Sequence, residues 1–300
     1  MGRVSEAIGR WPAAIQCGFW AILAGTLTTV QLAIVRNIAT DVNVFEIVFF
    51  RGVFSVMFMS PLLVHGWGTH LRPNRPGLNV LCGSLAFIAT VCFYFAARHM
   101  PIADITAIHF ARPIFAAVAA ALILREAIRG SRVLAIIFGV IGAAIIIRPG
   151  LVEFNVGIYY VIGVIAVQSW NPIIRKLLSN SEHPDTVAIW NVLTVLPLGL
   201  IATVFVWTTP TPEQLAWMGV IGVLEMLKQR VLARAYVRGD AIMVVSLHYT
   251  QLPIAAMVGF MMFGEAPDIW IWIGGTVIAV AAVILTRGEM ANSRIEGRPR

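Results

Sequence analysis

Ten apolar runs, each long enough to cross a lipid bilayer, take up almost the whole of this 300-residue chain. They fall at roughly 13–35, 44–64, 77–97, 103–124, 132–149, 156–175, 185–207, 214–236, 241–262 and 270–286. A helix needs about 20 apolar residues to span a hydrocarbon core of ~30 Å. The runs do not alternate apolar and polar residues, so barrel strands are excluded and helices remain. With 12% charged residues and a mean hydropathy of +0.83, the chain lacks the polar surface that a soluble fold requires. The first run is longer than the ~7–15 residues of a signal-peptide core and other runs follow at once, so it reads as a span. Cys17, Cys82 and Cys92 lie in apolar runs without metal-ligand spacing and read as packed thiols. The polar segment 287–300 is expected to be a disordered cytoplasmic tail.

Basic residues orient the spans, because cytoplasmic loops retain Lys and Arg. With the N-terminus inside, Arg3, Arg10, Arg72, Arg75, Arg125, Arg129, Arg132, Arg175, Lys176, Arg234, Arg238, Arg287, Arg294, Arg298 and Arg300 are cytoplasmic. Only Arg36, Arg98 and Arg148 fall outside, and Arg51, Arg112, Lys228 and Arg230 lie within spans. This asymmetry predicts both termini in the cytoplasm. The net charge of +7 then reflects topology, and no nucleic-acid partner is expected.

A shift of 140 residues superimposes Gln31 on Asn171, Arg36 on Lys176, Arg51 on Asn191, Arg98 on Arg238 and Pro113 on Pro253. The unit holds five spans, at 13–149 and again at 156–286. Five is odd, so the second copy enters the membrane from the opposite side. The expected fold is an all-α integral membrane protein of two inverted five-helix repeats, an arrangement that places solute sites near the midplane.

A charge at mid-membrane costs about 2.5–3.5 kcal/mol on insertion scales, so polar residues within spans are candidate site residues. His109 and Arg112 share a helix face. Each also has a purely structural reading, a carbonyl bond for the histidine and a bundle partner for the arginine. Glu225, Lys228 and Gln229 share a face of the eighth span, and Glu225 and Lys228 can neutralise each other. Gln31 and Asn171 are amides at paired positions, suited to a ligand with donors and acceptors or to bridging helices. Trp20, Trp170, Trp190, Tyr94 and Tyr249 are candidates for stacking on an aromatic or cationic solute. Pro113 and Pro253 each remove a helix donor, so kinks that could gate a cavity are expected there. Glu46 is expected to pair with Arg51. Gly139, Gly142, Gly274 and Gly275 suggest close packing of the last span in each half.

Several stretches carry a resemblance to a known family. The second half, with "RAY" before the ninth span, "YT" and a proline within it and "FGEAPD" closing it, resembles the EamA-type branch of the drug/metabolite transporter superfamily. The first half has the matching "FFR", "FYFAARHMPIADITAI", "RE" and "IIIRPG". The resemblance covers about 13–288. It implies ten helices in two inverted halves and movement of small metabolites, as in YddG-type amino-acid exporters and in importers of riboflavin or S-adenosylmethionine. The eighth span departs from the family, which has mostly neutral residues where this chain has Glu225, Lys228 and Arg230.

No phosphate loop, HExxH or paired CxxC is present, so neither enzymatic activity nor a metal or other cofactor is expected. The reading is a secondary transporter in a bacterial inner membrane, a monomer or weak dimer in the bilayer. It moves small metabolites, amino acids or related compounds first, by export or facilitated exchange. The alternative is uptake of a nucleoside-like or flavin-like compound. The expected substrate-binding set is Gln31, His109, Trp170, Asn171, Glu225, Gln229 and Tyr249.

Overall fold

The computed structural model describes residues 13–66, 73–112, 115, 130–147, 155–179, 181–182, 184–238 and 250–296. These residues form ten helices and no strand. They are α1 (Ala13–Ile38), α2 (Val44–Gly66), α3 (Pro76–His99), α4 (Ile102–His109), α5 (Gly130–Ile147), α6 (Gly157–Ser179), α7 (Pro184–Val204), α8 (Pro212–Arg238), α9 (Gln251–Phe263) and α10 (Ile269–Glu296). Each expected span has its helix, with the ends moved by a few residues. Only the first part of the fourth span and the last part of the ninth fall within the described residues. The stretches Ile15–Ile38 and Pro76–His99 are each long and apolar enough by themselves to cross a membrane.

One expectation is corrected at the C-terminus. The chain beyond Arg287 is not irregular: α10 continues to Glu296. Its polar extension "GEMANSRIE" includes Glu, Met, Ala and Arg, all good helix formers that can carry an established helix onward.

Large apolar side chains are exposed on the outer faces, including Phe205 at 82% and Met261 at 76%. Polar side chains such as Gln31, Glu46, Ser55, Asn79 and Glu182 are buried instead. This is the distribution that lipid favours. Hydroxyls within the helices are satisfied locally: Thr28, Thr29, Thr106, Ser169 and Thr194 each donate to the carbonyl four residues back.

The strongest helix contacts are matched between the two five-helix sets. Helices α5 and α10 pack together, as do α2 and α7, and α4 and α9. Other contacts come in couples: α1–α8 with α6–α3, α2–α8 with α7–α3, and α1–α9 with α6–α4. Exchanging the first five helices with the last five returns these pairs, whereas α1–α3, α4–α10 and α2–α3 have no comparable counterpart among the described residues. Where α5 meets α10, a Cβ on Gly274 would lie 2.6 Å from the Gly142 carbonyl oxygen, and one on Gly142 would lie 2.9 Å from the Gly274 oxygen. Only glycine permits this approach.

Two buried carboxylates tie the five-helix sets together. Glu46, near the start of α2, accepts hydrogen bonds from the backbone N–H and the hydroxyl of Thr208, just before α8. Glu182, just before α7, accepts from the backbone N–H of Arg75 (2.7 Å) and the amide of Asn79 (3.3 Å) at the start of α3. Each satisfies donors near the start of the third helix of the other set. The entry to α8 is further fixed by a reciprocal cap. The Gln214 N–H donates to the Thr211 hydroxyl (3.3 Å) and the Thr211 N–H to the Gln214 side chain (2.8 Å).

Candidate functional site

The charged face of α8 meets α1, α2 and α3 around one carboxylate. Glu225 accepts from Lys228 Nζ at 2.6 Å, Gln31 Nε2 at 3.0 Å, Gln229 Nε2 at 3.0 Å and Arg51 Nη1 at 3.1 Å. Spacings of three and four residues bring Lys228 and Gln229 back over Glu225 on α8. The other donors come from distant helices. Gln31 Nε2 also donates to the Tyr94 hydroxyl at 3.0 Å, and the Arg51 guanidinium lies 5.8 Å from the centre of the Tyr94 ring. The three charged side chains are largely covered, at 13% exposure for Arg51, 15% for Glu225 and 20% for Lys228. Gln229 is exposed beside them. Such a network supplies both donors and acceptors, and its side chains can exchange partners with a ligand at little cost in unsatisfied groups.

A second polar group lies between α4 and α6. Gln168 Oε1 accepts from Arg112 Nη1 at 2.9 Å and lies 3.2 Å from His109 Nε2, which therefore carries the proton in that bond. The His109 ring is 5.4 Å from that of Phe93. Helix α4 tightens and stops here: the Phe110 N–H is shared between the Thr106 and Ala107 carbonyls, and the Ala111 N–H bonds to Ile108. The irregular turn falls at Phe110 and Ala111, and Arg112 and Phe115 are helical again. The position paired with Phe110 by the 140-residue shift is Thr250, the turn residue from which α9 starts.

A third contact closes the ends of α1 and α9. Arg36 forms a two-pronged ion pair with Glu265, one arm at 2.7 Å. Its guanidinium also lies 4.7 Å from the centre of the Phe263 ring. Gly264, at φ +67°, turns the chain so that Glu265 faces Arg36.

The expected site residues therefore divide. Gln31, Glu225 and Gln229 come together, whereas His109 stands with Gln168 and Arg112 on the other group. Trp170 is 47% exposed and joins neither. Pro253 occupies the third position of α9, where its missing N–H is one of the free donors of a first turn. Pro113, Tyr249 and the side chain of Asn171 lie outside the described residues. Glu46 does not pair with Arg51, which corrects the sequence expectation: five residues on a helix rotate by ~140°, so the two face apart. Arg51 turns to Glu225 instead. Trp20 is covered by the Arg234 guanidinium, 5.1 Å from its ring centre, and so is not free to stack on a solute.

Arg51, Tyr94 and Lys228 are the members of the cluster missing from the expected binding set. An arginine in the apolar run "FFRGVF" signals a buried partner, and the eighth span carries an acid, but nothing in the sequence joins the two. An open cleft of about 520 Å³ between α2 and α8 is lined by Phe54, Phe58, Leu215, Val220 and Leu224 among others. Its wall is hydrocarbon and suits an acyl chain, so the polar cluster and not this cleft is the candidate solute site.

These features define a class, a helical membrane protein with a charged, hydrogen-bonding centre. Residues 16–148 match the family model of the EamA-like transporter family. The chain is 27% identical to a riboflavin transporter of Vibrio cholerae serotype O1, covering 94% of this chain and 96% of the relative. It is 26% identical to an S-adenosylmethionine uptake transporter of Rickettsia prowazekii, covering 90% and 92%. A pseudopaline exporter of Pseudomonas aeruginosa is also 26% identical, over 89% of this chain and 94% of its own. A solved crystal structure superposes with a TM-score of 0.62 over 95% of this chain and 99% of the other, at 16% identity, and speaks for the fold alone. The first half of the chain is thus similar to the EamA-like transporter family, and relatives that match nearly its whole length are named as transporters.

Proposed function

We propose that the protein is a secondary transporter of small metabolites, most directly amino acids or related compounds, working by alternating access. Two inverted five-helix repeats, 13–149 and 156–286, rock about the cluster at Glu225, with both termini in the cytoplasm. The observation that carries this reading is the Glu225 network itself. A carboxylate, two cations and two amides converge from both repeats, and such a set can take the charges and polar groups of a small metabolite. The self-matching helix contacts and the reciprocal ties of Glu46 and Glu182 support two related halves. The direction is export or facilitated exchange, and the sequence carries no phosphate-loop motif. The test is flux of labelled amino acids into liposomes that hold the purified protein, compared with empty liposomes.

A second reading has its own support. Relatives named for riboflavin and for S-adenosylmethionine uptake match nearly the whole chain. On that reading the same site takes up a flavin-like or nucleoside-like compound, and the same liposomes loaded with those compounds decide between the two.

A further inference from the structure

The central cluster is not neutral. Arg51 and Lys228 share the single carboxylate of Glu225, and the remaining members, Gln31, Tyr94 and Gln229, are uncharged. Within this group one formal positive charge is left over. The guanidinium is also incompletely used: Arg51 Nη1 bonds to Glu225, while Arg51 Nε is buried with no hydrogen-bond partner. A buried N–H without an acceptor is destabilising, and more so on a charged group. An uncompensated charge inside a bundle of apolar helices is costlier still. What the cluster lacks is one acceptor that carries one negative charge. A carboxylate fits on both counts, because it accepts two N–H donors of an arginine side by side and forms charge-assisted bonds.

We propose that the solute is recognised through a carboxylate that binds Arg51 and Lys228 beside Glu225, so that a monoanionic acid is preferred over the same compound with its carboxyl blocked as an amide. This narrows the transporter reading above and rests on it. The solute's acid supplies the missing charge, Lys228 and Arg51 turn partly from Glu225 towards it, and Gln229, at the exposed edge, offers a further donor. An ammonium group on the solute is not required. An N-acetylated amino acid therefore binds at least as well as the free zwitterion.

The experiment compares N-acetyl amino acids, free amino acids and N-acetyl amino-acid amides on the full-length protein. Binding is read by thermal shift and transport by liposome flux, for wild type, Arg51→Gln and Lys228→Gln. Wild type should bind the acids at least tenfold more tightly than the matching amides. Each variant leaves Glu225 with one cation and makes the cluster neutral, so the preference should fall to within about twofold in every variant that folds. Flux of acids and amides at equal rates would overturn this inference while leaving the transporter reading intact, as would a folded variant that keeps the full preference. Absence of flux for these compounds together with flavins and nucleosides would instead overturn the transporter reading.

Discussion

Arg51 and Glu225, 174 residues apart in the chain, meet at 3.1 Å, and through them α2 is joined to α8. The two ends of this ion pair are not equivalent. Without Arg51, Glu225 still has Lys228 at 2.6 Å. Without Glu225, two covered cations face each other with no anion in their group. Glu225→Ala should therefore cost about 3–5 kcal/mol, as for a buried pair broken on one side, and Arg51→Ala distinctly less. Melting temperatures of the purified variants in detergent check this, and equal losses would contradict the assigned geometry.

Gln229 isolates binding from folding. It is exposed and donates to Glu225 at 3.0 Å. Gln229→Ala should reduce solute affinity about tenfold, the loss of one hydrogen bond to a charged centre, with the melting temperature nearly unchanged. A variant that unfolds, or one with undiminished flux, would remove Gln229 from the site.

The ties made by Glu46 and Glu182 should be matched in strength. Replacing either with Ala strands a backbone N–H and a second donor, a loss of about 1–3 kcal/mol in each case. Similar drops in melting temperature are expected. A large effect at one position and none at the other would show that the two contacts are unrelated.

Topology has its own test. A cysteine at Arg98 should react with an impermeant thiol reagent from outside the cell and one at Arg238 from inside. Labelling of both from one side would exclude opposite orientation of the two repeats.

Much of this was legible in the sequence, for reasons that are local. Apolar runs report helices because each span must bury its own backbone polarity, and the helices appear where the runs are. The shared face of Glu225, Lys228 and Gln229 follows from spacing on one helix. Arg51 was harder to place, since its partner lies on another helix and the nearest acid in sequence, Glu46, points away. His109 and Gln31 are both polar residues within spans, yet helix packing sorts them into different groups. Pairing between helices is a property of tertiary packing, and a single sequence records it only indirectly, here through the repeat.

Coupling to protons depends on whether Glu225 gives up its cations. With Lys228 and Arg51 both bonded to it, the carboxylate already has two cationic partners, so flux should follow the solute gradient alone. Imposing a pH gradient on loaded liposomes should leave the steady-state solute ratio unchanged for wild type, His109→Ala and Glu225→Gln. Uphill movement driven by the proton gradient, and lost in either variant, would contradict this.

The most direct measurement is counterflow. Liposomes holding the purified protein and loaded with unlabelled amino acid or N-acetyl amino acid are diluted into a trace of the labelled compound. Wild type should accumulate label transiently above the outside level, and a folded Lys228→Gln, Arg51→Gln or Glu225→Gln variant should fall well below it. Equal counterflow in wild type and all folded variants would contradict the assignment of the solute site to the Glu225 cluster.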